Sequence, residues 1–393
     1  MKEKANNKII IFGAGKIGRS FIGQLFSVGG FEVVFVDISE TVLKELNQRG
    51  EYHVIIKSEL EDTIIVKNVR GVNARDKELV ANEISDATIL SVSVGLNALP
   101  HILPSIADGL KERYKKNQNG AIDIIIAENM RNASQYFREN LISHLPDTYP
   151  FDDLVGLIET SIGKMVPIMP ESIEKEDPLL VFAEPYNTLI LDKKAFRNPI
   201  PTIEGLAPKN NIKAWVDRKL FIHNLGHAAT AYWGYSYNPK FQYIWEALEV
   251  PSVFLNVRET MLQSADLLVK KYVDDFSIQD LIDHVDDLLS RFKNKALADT
   301  IYRVGCDLPR KLGPDDRLAG AIRLAVSLNM PYDKILKTLI VGSQFKAENE
   351  KGIMHPSDII FHKENTSIND VLESVCKFDT KDFAQVHELA KQI

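Results

Sequence analysis

Cysteine is scarce in this sequence, because the 393 residues include only Cys306 and Cys376. Two cysteines, neither of them in a CxxC pair, are too few for a disulfide framework, and a reducing cytoplasm is the expected setting. The sequence also lacks any apolar run near the roughly 20 residues that a membrane-spanning helix needs. A basic excess is missing too, because the formal net charge is −7. Neither a membrane nor nucleic acid is therefore expected as a partner.

What is present is a balanced composition, with 45% hydrophobic and 26% charged residues, as in an ordinary globular protein. At this length about two domains are expected. The best candidate boundary is the stretch RNPIPTIEGLAPKNN, which begins at Arg197 and is rich in proline, asparagine and glycine. We therefore predict one domain over residues 1–199 and a second over residues 200–393.

Apolar runs alternate with helical patterns through the first half of the chain. The runs predict strands over residues 9–12, 33–36, 52–56, 63–66, 87–95 and 121–129, with further strands over 180–196. Helices are predicted between several of them, over residues 97–114 and 133–142. This alternation predicts an α/β domain of the Rossmann type with a parallel sheet. From residue 212 onwards the period is near 3.6, including one run over 241–273, and a mostly α-helical second domain is expected.

A glycine-rich turn follows the first predicted strand. Its residues Gly13, Ala14, Gly15, Lys16, Ile17 and Gly18 fit the pattern G-x-G-x-x-G, and Asp37 ends the next predicted strand. Glycines here allow a tight turn and a close approach to a pyrophosphate, which the free N–H groups of the helix bind. Asp37 is expected to bind a ribose diol and to repel a 2′-phosphate, which favours NAD over NADP. The alternative is a strand–helix turn without a ligand.

The stretch RKLFIHNLGHAATAYWG, residues 218–234, places polar groups in an otherwise apolar helical pattern. His223 and His227 have the i, i+4 spacing of a zinc helix, but Asn224 replaces its general-base Glu, and we expect no metal. Lys219, Asn224 and His227 fit one broad arc of an α-helix, with Lys219 and His227 roughly 80° apart. A lysine in apolar surroundings can act as a general base. The alternative is a surface lysine beside polar groups satisfied in a core.

The same stretch resembles the K-x4-N-x-x-H signature of the polyol-specific long-chain dehydrogenases, the mannitol dehydrogenase family. Further blocks match in order and spacing, namely FGAGKIGRSFIG (12–23), IAENM (126–130), RFKN (291–294) and RVGCDLPRKLGPDDRL (303–318). The resemblance implies a zinc-independent, NAD-dependent oxidation of a secondary alcohol in a sugar-alcohol phosphate. It implies that Lys219 is the general base and that Asn224 and His227 bind the reacting hydroxyl and its neighbour. Glu128 and Asn129 are implied to bind the cofactor.

The block that ends at Pro167 departs from the family pattern. Glu159 stands where relatives have Asn or Asp, and Gly163-Lys164 replaces an Asp-Arg pair. In the middle strands, Leu189 stands where relatives place a Trp. A carboxylate cannot donate a hydrogen bond as an amide does, so Glu159 is expected to border the substrate without acting as an oxyanion donor. These departures bear on the identity of the sugar more than on the reaction class.

Basic residues near the end of the family blocks supply a candidate clamp for phosphate. They are Arg303, Arg310, Lys311 and Arg317. Arginine forks match phosphate geometry. Arg310 and Lys311 precede a turn that can aim them inward, so these two are the first candidates. The alternative is a charged loop in which neighbouring aspartates pair these bases.

Three other functions stay open at this point. A hexuronate reductase acting on fructuronate or tagaturonate, or a dehydrogenase of a free polyol, would also use cations here. The basic residues therefore do not distinguish a phosphorylated substrate from one that carries a carboxylate. A non-catalytic NAD-binding sensor is the third, although a sensor has no need of Lys219, Asn224 and His227 together. We expect a small-molecule substrate and a monomer or a weak homo-oligomer.

Overall fold

The computed structural model describes residues 7–58 and 60–393. The chain forms two compact units, of which the first ends at Ile212 and the second begins at Lys213. This division lies later in the chain than the boundary that we predicted near residue 200. The reason is the strand Leu206–Lys209, which pairs in parallel with Leu189–Asp192 and so extends the sheet of the first unit. Within the described ranges, no helix is long and apolar enough to cross a membrane.

The first unit is built on two sheets. Its strands are β1 (Lys8–Phe12), β2 (Glu32–Asp37), β3 (Glu51–Ile56), β4 (Asp62–Lys67), β5 (Val69–Asn73), β6 (Ile89–Val92), β7 (Ile122–Ile126), β8 (Val155–Ile162), β9 (Val181–Ala183), β10 (Leu189–Asp192) and β11 (Leu206–Lys209). The large sheet has the order β11-β10-β8-β7-β6-β1-β2-β5, and the small sheet has the order β4-β3-β9. In the large sheet, the six neighbouring strands β8, β7, β6, β1, β2 and β5 are all parallel. Strand β10 is antiparallel to β8. The predicted Rossmann-type domain is confirmed.

Strand β1 is an interior strand of the large sheet and is covered on both faces. Ile9, Ile10 and Ile11 are all fully buried, as a strand covered on both faces requires. Ile9 and Ile11 pack in one hydrophobic cluster with Phe21, whereas Ile10 packs in a second cluster with Phe137. Because β1, β2 and β6 are parallel, their carboxyl ends meet at one edge of the sheet, which is where ligands bind in open α/β folds.

The helices of the first unit connect these strands. They are α1 (Gln24–Val28), α2 (Glu40–Arg49), α3 (Lys77–Ser85), α4 (Leu99–Lys116), α5 (Ala133–Ile142), α6 (Phe151–Leu154) and α7 (Glu171–Glu176). A π-helical segment, Gly18–Gly23, precedes α1. Short 3-10 turns lie at Leu96–Ala98 and Lys193–Ala195.

The second unit is mostly α-helical, as predicted. Its helices are α8 (Ile212–Arg218), α9 (Leu225–Tyr237), α10 (Ile244–Leu248), α11 (Pro251–Lys271), α12 (Ile278–Phe292), α13 (Ile301–Gly305), α14 (Leu308–Lys311), α15 (Ala319–Leu328), α16 (Asp333–Ser343), α17 (Pro356–Glu364), α18 (Ile368–Asp370) and α19 (Ala384–Gln392). Two π segments, Lys219–Asn224 and Val371–Val375, and a 3-10 turn, Lys295–Leu297, lie between them.

The run of helical period over residues 241–273 does not form one continuous helix. The structure contains α10 and α11 there, with an extended residue, Val250, between them. Pro251 is the first residue of α11, and a proline disfavours the helical conformation of the residue before it. The break therefore follows from a local steric effect that the hydrophobic period alone does not reveal.

Candidate active site

The glycine turn, residues 13–18, joins β1 to the helix that follows. Gly13 has φ +99°, and a Cβ atom on it would collide with the backbone carbonyl of Ser93. A Cβ atom on Gly18 would collide with the carbonyl oxygen of Gly13, whereas one on Gly15 would meet nothing within 4 Å. The fold itself therefore requires Gly13 and Gly18. The open space at Gly15 fits the approach of a pyrophosphate to the backbone.

Asp37 stands at the end of β2 beside this turn. Its two carboxylate oxygens accept hydrogen bonds from the N–H groups of Ala14, at 2.7 Å, and Ser39, at 2.9 Å. These backbone bonds fix the carboxylate at the mouth of the turn, and each oxygen keeps a lone pair for a further donor. Lys16 forms an ion pair with Glu174, 2.9 Å away. The side chain of Ile17 packs against the hydrophobic core.

Glu128 and Asn129 follow β7 at the same edge of the sheet. Glu128 accepts hydrogen bonds from the N–H groups of Val94, at 2.6 Å, and Gly95, at 2.9 Å. Burial raises the pKa of Glu128, and the two backbone hydrogen bonds oppose that rise. Glu128 thus holds the loop after β6, and Asn129 comes next in the chain. The structure places both residues beside the predicted cofactor region, within the first unit.

Three residues that depart from the family pattern, Glu159, Lys164 and Leu189, lie within the first unit. Glu159, on β8, accepts hydrogen bonds from the backbone N–H of Ser134, at 2.9 Å, and from its hydroxyl, at 2.8 Å. Its negative charge therefore lies at the N-terminal end of α5, where it is favoured. Lys164 is buried and donates to the side chain of Asn187 at 2.7 Å. Leu189, on β10, is fully buried.

The helix of residues 212–237 is not a regular α-helix, because its middle segment is π-helical. The N–H of Leu225 reaches the carbonyl of Leu220, five residues back. Ser264, on α11, donates its hydroxyl to the carbonyl of Phe221 at 2.6 Å. The Arg317 guanidinium donates to the carbonyl of Asn224 at 3.3 Å. These side chains supply hydrogen bonds to the carbonyl groups of a segment that departs from the α-helical pattern.

The π segment changes the angular spacing of the lysine face, by which we mean Lys219, Asn224 and His227. A π turn takes about one residue more than an α turn, so the stretch from Lys219 to His227 rotates by about seven α-helical steps rather than eight. The three side chains then span an arc of roughly 60°, compared with roughly 140° on a regular α-helix. Our predicted angle of about 80° between Lys219 and His227 is too large for that reason. The face is narrower than the sequence suggested.

Lys219 is a partly buried amine. Burial, and then the positive charge of Arg317, lower the pKa of Lys219 from 10.5 to about 8. A lysine of this kind loses its proton near pH 8, well below the pH that an ordinary lysine needs, and can then act as a general base. Asn224, at the end of the π segment, offers an amide that both donates and accepts hydrogen bonds.

His227 lies against a buried carboxylate that sequence reasoning did not find. Its Nε2 atom is 3.0 Å from an oxygen of Asp299, whose side chain is only 3% exposed. Phe292 stacks on the imidazole, with ring centroids 4.9 Å apart. The other oxygen of Asp299 forms an ion pair with Arg303. No pattern in the sequence links Asp299 to His227, because the contact joins segments that are distant along the chain.

Several cations surround His227. Burial lowers the pKa of His227 well below 6.5, and the next causes in order of size are the charges of Arg303, Arg317, Lys311 and Arg291. Lys311 is buried and donates to the carbonyl of Val304 at 2.7 Å. Burial, and then the charge of Arg317, lower the pKa of Lys311 to about 8. Arg310 is not among these cations, and its half-exposed side chain pairs with Asp307.

The comparison with family models covers both units. Residues 7–205 match the mannitol dehydrogenase Rossmann domain, and residues 211–393 match the mannitol dehydrogenase C-terminal domain. The chain belongs to the mannitol dehydrogenase family. The family resemblance seen in the sequence is thereby confirmed.

Two relatives within the mannitol dehydrogenase family match this chain over most of its length. The mannitol-1-phosphate 5-dehydrogenase of Lacticaseibacillus casei (strain BL23) is 34% identical over 338 residues, which is 85% of this chain and 86% of that protein. The mannitol-1-phosphate 5-dehydrogenase of Streptococcus pneumoniae (strain ATCC 700669 / Spain 23F-1) is 29% identical over 377 residues, with 95% and 97% covered.

Two solved structures share the fold of this mannitol dehydrogenase family member. The Pseudomonas fluorescens mannitol 2-dehydrogenase, in a ternary complex with NAD and D-mannitol, has a TM-score of 0.71 at 14% identity. That match covers 99% of this chain and 92% of the other. A D-sorbitol dehydrogenase in substrate-free form has a TM-score of 0.80 at 16% identity, with 98% and 92% covered.

His223 is the remaining histidine of this helix. It is buried, its ring centroid lies 5.7 Å from that of Phe292, and burial lowers its pKa well below 6.5. Among the residues that the structure describes, no group of three or more His, Cys, Asp and Glu side chains could hold a metal ion. The surroundings of His223 are those of a core residue.

Proposed function

We propose that this chain is an NAD-dependent dehydrogenase that interconverts mannitol 1-phosphate and fructose 6-phosphate with a lysine base. The names of its relatives support the reaction, and its family membership makes it an oxidoreductase of the polyol dehydrogenase type. The observation that carries the proposal is the lysine face. A partly buried amine with a pKa lowered to about 8 shares a narrow arc with an amide and an imidazole.

The residues of the first unit fit a dinucleotide. The space beside Gly15 can take the pyrophosphate, which the first N–H groups of the helix would bind. Asp37, held by two backbone amides, can bind the ribose diol and would repel a 2′-phosphate. Glu128 keeps the neighbouring loop in place. NAD, when bound, accepts a hydride from the alcohol carbon.

In this proposal Lys219 takes the proton of the reacting hydroxyl as the hydride leaves the same carbon. The lowered pKa of Lys219 keeps a substantial neutral fraction ready at mildly alkaline pH. In the reverse direction the protonated amine returns the proton to the carbonyl oxygen. Asn224 can donate to the developing oxyanion, a role that needs no metal. Asn224 and His227 together bind the reacting hydroxyl and its neighbour.

The phosphate group is the part of the proposal that needs cations. Arg291, Arg303, Lys311 and Arg317 all contribute positive charge at His227. Arginine and lysine together suit a dianionic phosphate, since each charge-assisted hydrogen bond contributes about 1.5–3 kcal/mol. Lys311 is better placed than Arg310, because Lys311 is buried and adds positive charge at His227, whereas Arg310 is half exposed and paired with Asp307.

A substrate screen tests the proposal directly. NADH oxidation should be fastest with fructose 6-phosphate and much slower with free fructose or fructuronate. It should persist after exhaustive chelation, and NADPH should replace NADH poorly. Fructuronate as the best substrate would instead assign a hexuronate reductase, and fructose as the best would assign a free-polyol dehydrogenase. NADH binding without turnover of any of the three would favour a sensor.

A further inference from the structure

We propose that Asp299 is a positioning residue that places the single ring proton of His227 on Nε2. The carboxylate is buried, and one of its oxygens lies 3.0 Å from Nε2. Its backbone is held as well, because the carbonyl of Asp299 accepts a hydrogen bond from the N–H of Ile244 at 3.0 Å. Asp299 lies just before α13 and outside the family blocks quoted from the sequence.

The position of the proton follows from what each partner can donate. An ionised carboxylate can only accept hydrogen bonds, and the guanidinium of Arg303 on its other oxygen favours the ionised form. The Nε2 atom of His227 must therefore be the donor. Burial and the neighbouring cations keep the pKa of His227 well below 6.5, so the ring is neutral at neutral pH. A neutral imidazole has one proton, and Nδ1 then carries a lone pair.

The surroundings of the ring leave this lone pair for a ligand. Phe292, itself buried, stacks on the imidazole at an interplanar angle of 20° and so fixes the plane of the ring. Over residues 7–58 and 60–393, Nδ1 of His227 has no hydrogen-bond partner in the protein, whereas Nε2 has Asp299. The imidazole thus offers an acceptor rather than a donor.

This assignment divides the roles on the lysine face and rests on the proposed function. A substrate hydroxyl can donate to Nδ1 of His227, but a carbonyl oxygen cannot, because two acceptors repel each other. His227 therefore recognises a hydroxyl group of the sugar. The hydrogen bonds to the carbonyl oxygen of the ketone must come from Asn224 and from protonated Lys219. His227 is an orienting group and not the oxyanion donor.

The proton on His227 can be observed without any substrate. In the protein labelled with ¹⁵N-histidine, two-bond ¹H–¹⁵N correlation spectra distinguish a protonated Nε2 from a protonated Nδ1, and a His227→Gln variant assigns the signals. We expect the wild-type spectrum at pH 7.5 to show protonated Nε2 and bare Nδ1 for His227. A protonated Nδ1 in the wild type would overturn the proposal.

Asp299→Asn is the matching variant. The amide of asparagine can donate to Nε2, which allows the proton to move to Nδ1, and the spectra should show that change in part or in full. We expect kcat/KM for ketone reduction to fall at least tenfold. In enzymes whose histidine is itself the base, an Asp→Asn change beside it lowers kcat by roughly 10⁴-fold, and the effect here should be smaller because His227 only orients the substrate. The ionisation of Lys219 should keep its place in the pH profile.

The control is Asp286→Asn, which alters another aspartate paired with an arginine. Asp286 lies 2.7 Å from Arg258 and is half exposed, so its loss should change neither the spectra nor the turnover. Unchanged spectra and unchanged turnover in Asp299→Asn would refute the proposal. If the chain reduces no sugar phosphate but the tautomer behaves as expected, the proposed function fails while the assignment to Asp299 stands.

Discussion

The two candidate binding regions differ in what they are made of. The glycine turn of the first unit offers backbone N–H groups and empty space, and Asp37 is the side chain that completes it. The lysine face of the second unit is made of side chains, and their protonation depends on burial and on nearby cations. Ligand binding at the glycine turn should therefore depend on the absence of a side chain at Gly15. Activity at the lysine face should depend on the charge and the pKa of particular side chains.

The largest expected effect is on the lysine face. Lys219→Ala should lower kcat by about 10²–10⁴-fold, the usual contribution of a positioned acid or base. NADH affinity should stay the same. With Lys219 as the proposed base, mannitol 1-phosphate oxidation in the wild type would need the neutral amine, so its rate should rise with pH through an ionisation near 8. Fructose 6-phosphate reduction needs the protonated amine and should fall through the same ionisation.

The control for Lys219 is Lys213→Ala, which removes an exposed lysine near the start of α8. It should leave kcat and the pH profile unchanged. Near-wild-type turnover in Lys219→Ala, with the same pH dependence, would remove Lys219 from the role of base.

A second comparison uses two adjacent basic residues of the second unit. Lys311 is buried and adds to the positive charge at His227, whereas Arg310 is half exposed and paired with Asp307. Lys311→Met should raise KM for fructose 6-phosphate by the equivalent of about 1.5–3 kcal/mol and hardly affect free fructose. Arg310→Gln should have little effect on either. If Arg310→Gln has the larger effect on the phosphorylated substrate, the phosphate lies at the exposed side chain instead.

The glycine turn can be tested with two alanine substitutions. Gly15→Ala adds a Cβ atom that meets no protein atom within 4 Å, so the free energy of unfolding should hardly change. NADH affinity should fall about tenfold or more, roughly 1.4 kcal/mol, because the methyl group occupies the space for the pyrophosphate. Gly13→Ala should instead destabilise the protein, because φ is +99° and the Ser93 carbonyl is too close. Wild-type NADH affinity in Gly15→Ala would place the pyrophosphate elsewhere.

Much of the fold and the outline of the site could be predicted from local patterns. The apolar run of residues 9–12 and the glycine turn behind it indicated the Rossmann-type sheet, because a buried parallel strand leaves an unbroken apolar run. Strands β5 and β8 were not predicted from the sequence. Val69–Asn73 contains Arg70 and Gly71, and Val155–Ile162 contains Gly156 and Glu159, so neither is a continuous apolar run.

The details of the lysine face could not be predicted, since they arise from contacts between distant segments. The π segment receives hydrogen bonds from Ser264 and Arg317, which lie far from it in sequence. Asp299 meets His227 only once α13 and α9 have packed together. A helical wheel drawn at 100° per residue assumes a regular α-helix and therefore predicts neither the π segment nor the contact between Asp299 and His227.

The burial of Lys219 also affects how stable the protein is. In an unfolded chain this amine keeps its ordinary pKa of 10.5, whereas in the fold the pKa is about 8. Between those values the unfolded state binds more protons, so the free energy of unfolding should rise with pH across that window. At pH 7 the burial of the charged amine lowers the free energy of unfolding by at most about 3.5 kcal/mol, since the pKa falls from 10.5 to about 8 and one pKa unit corresponds to about 1.4 kcal/mol.

A Lys219→Met variant should recover part of this free energy. Its midpoint of urea unfolding at pH 7 should exceed that of the wild type, and the difference should shrink by pH 9.5. An equal midpoint at both pH values would mean that the amine is well solvated in the fold. Selection for heat resistance alone would therefore favour the loss of the residue that we propose as the base.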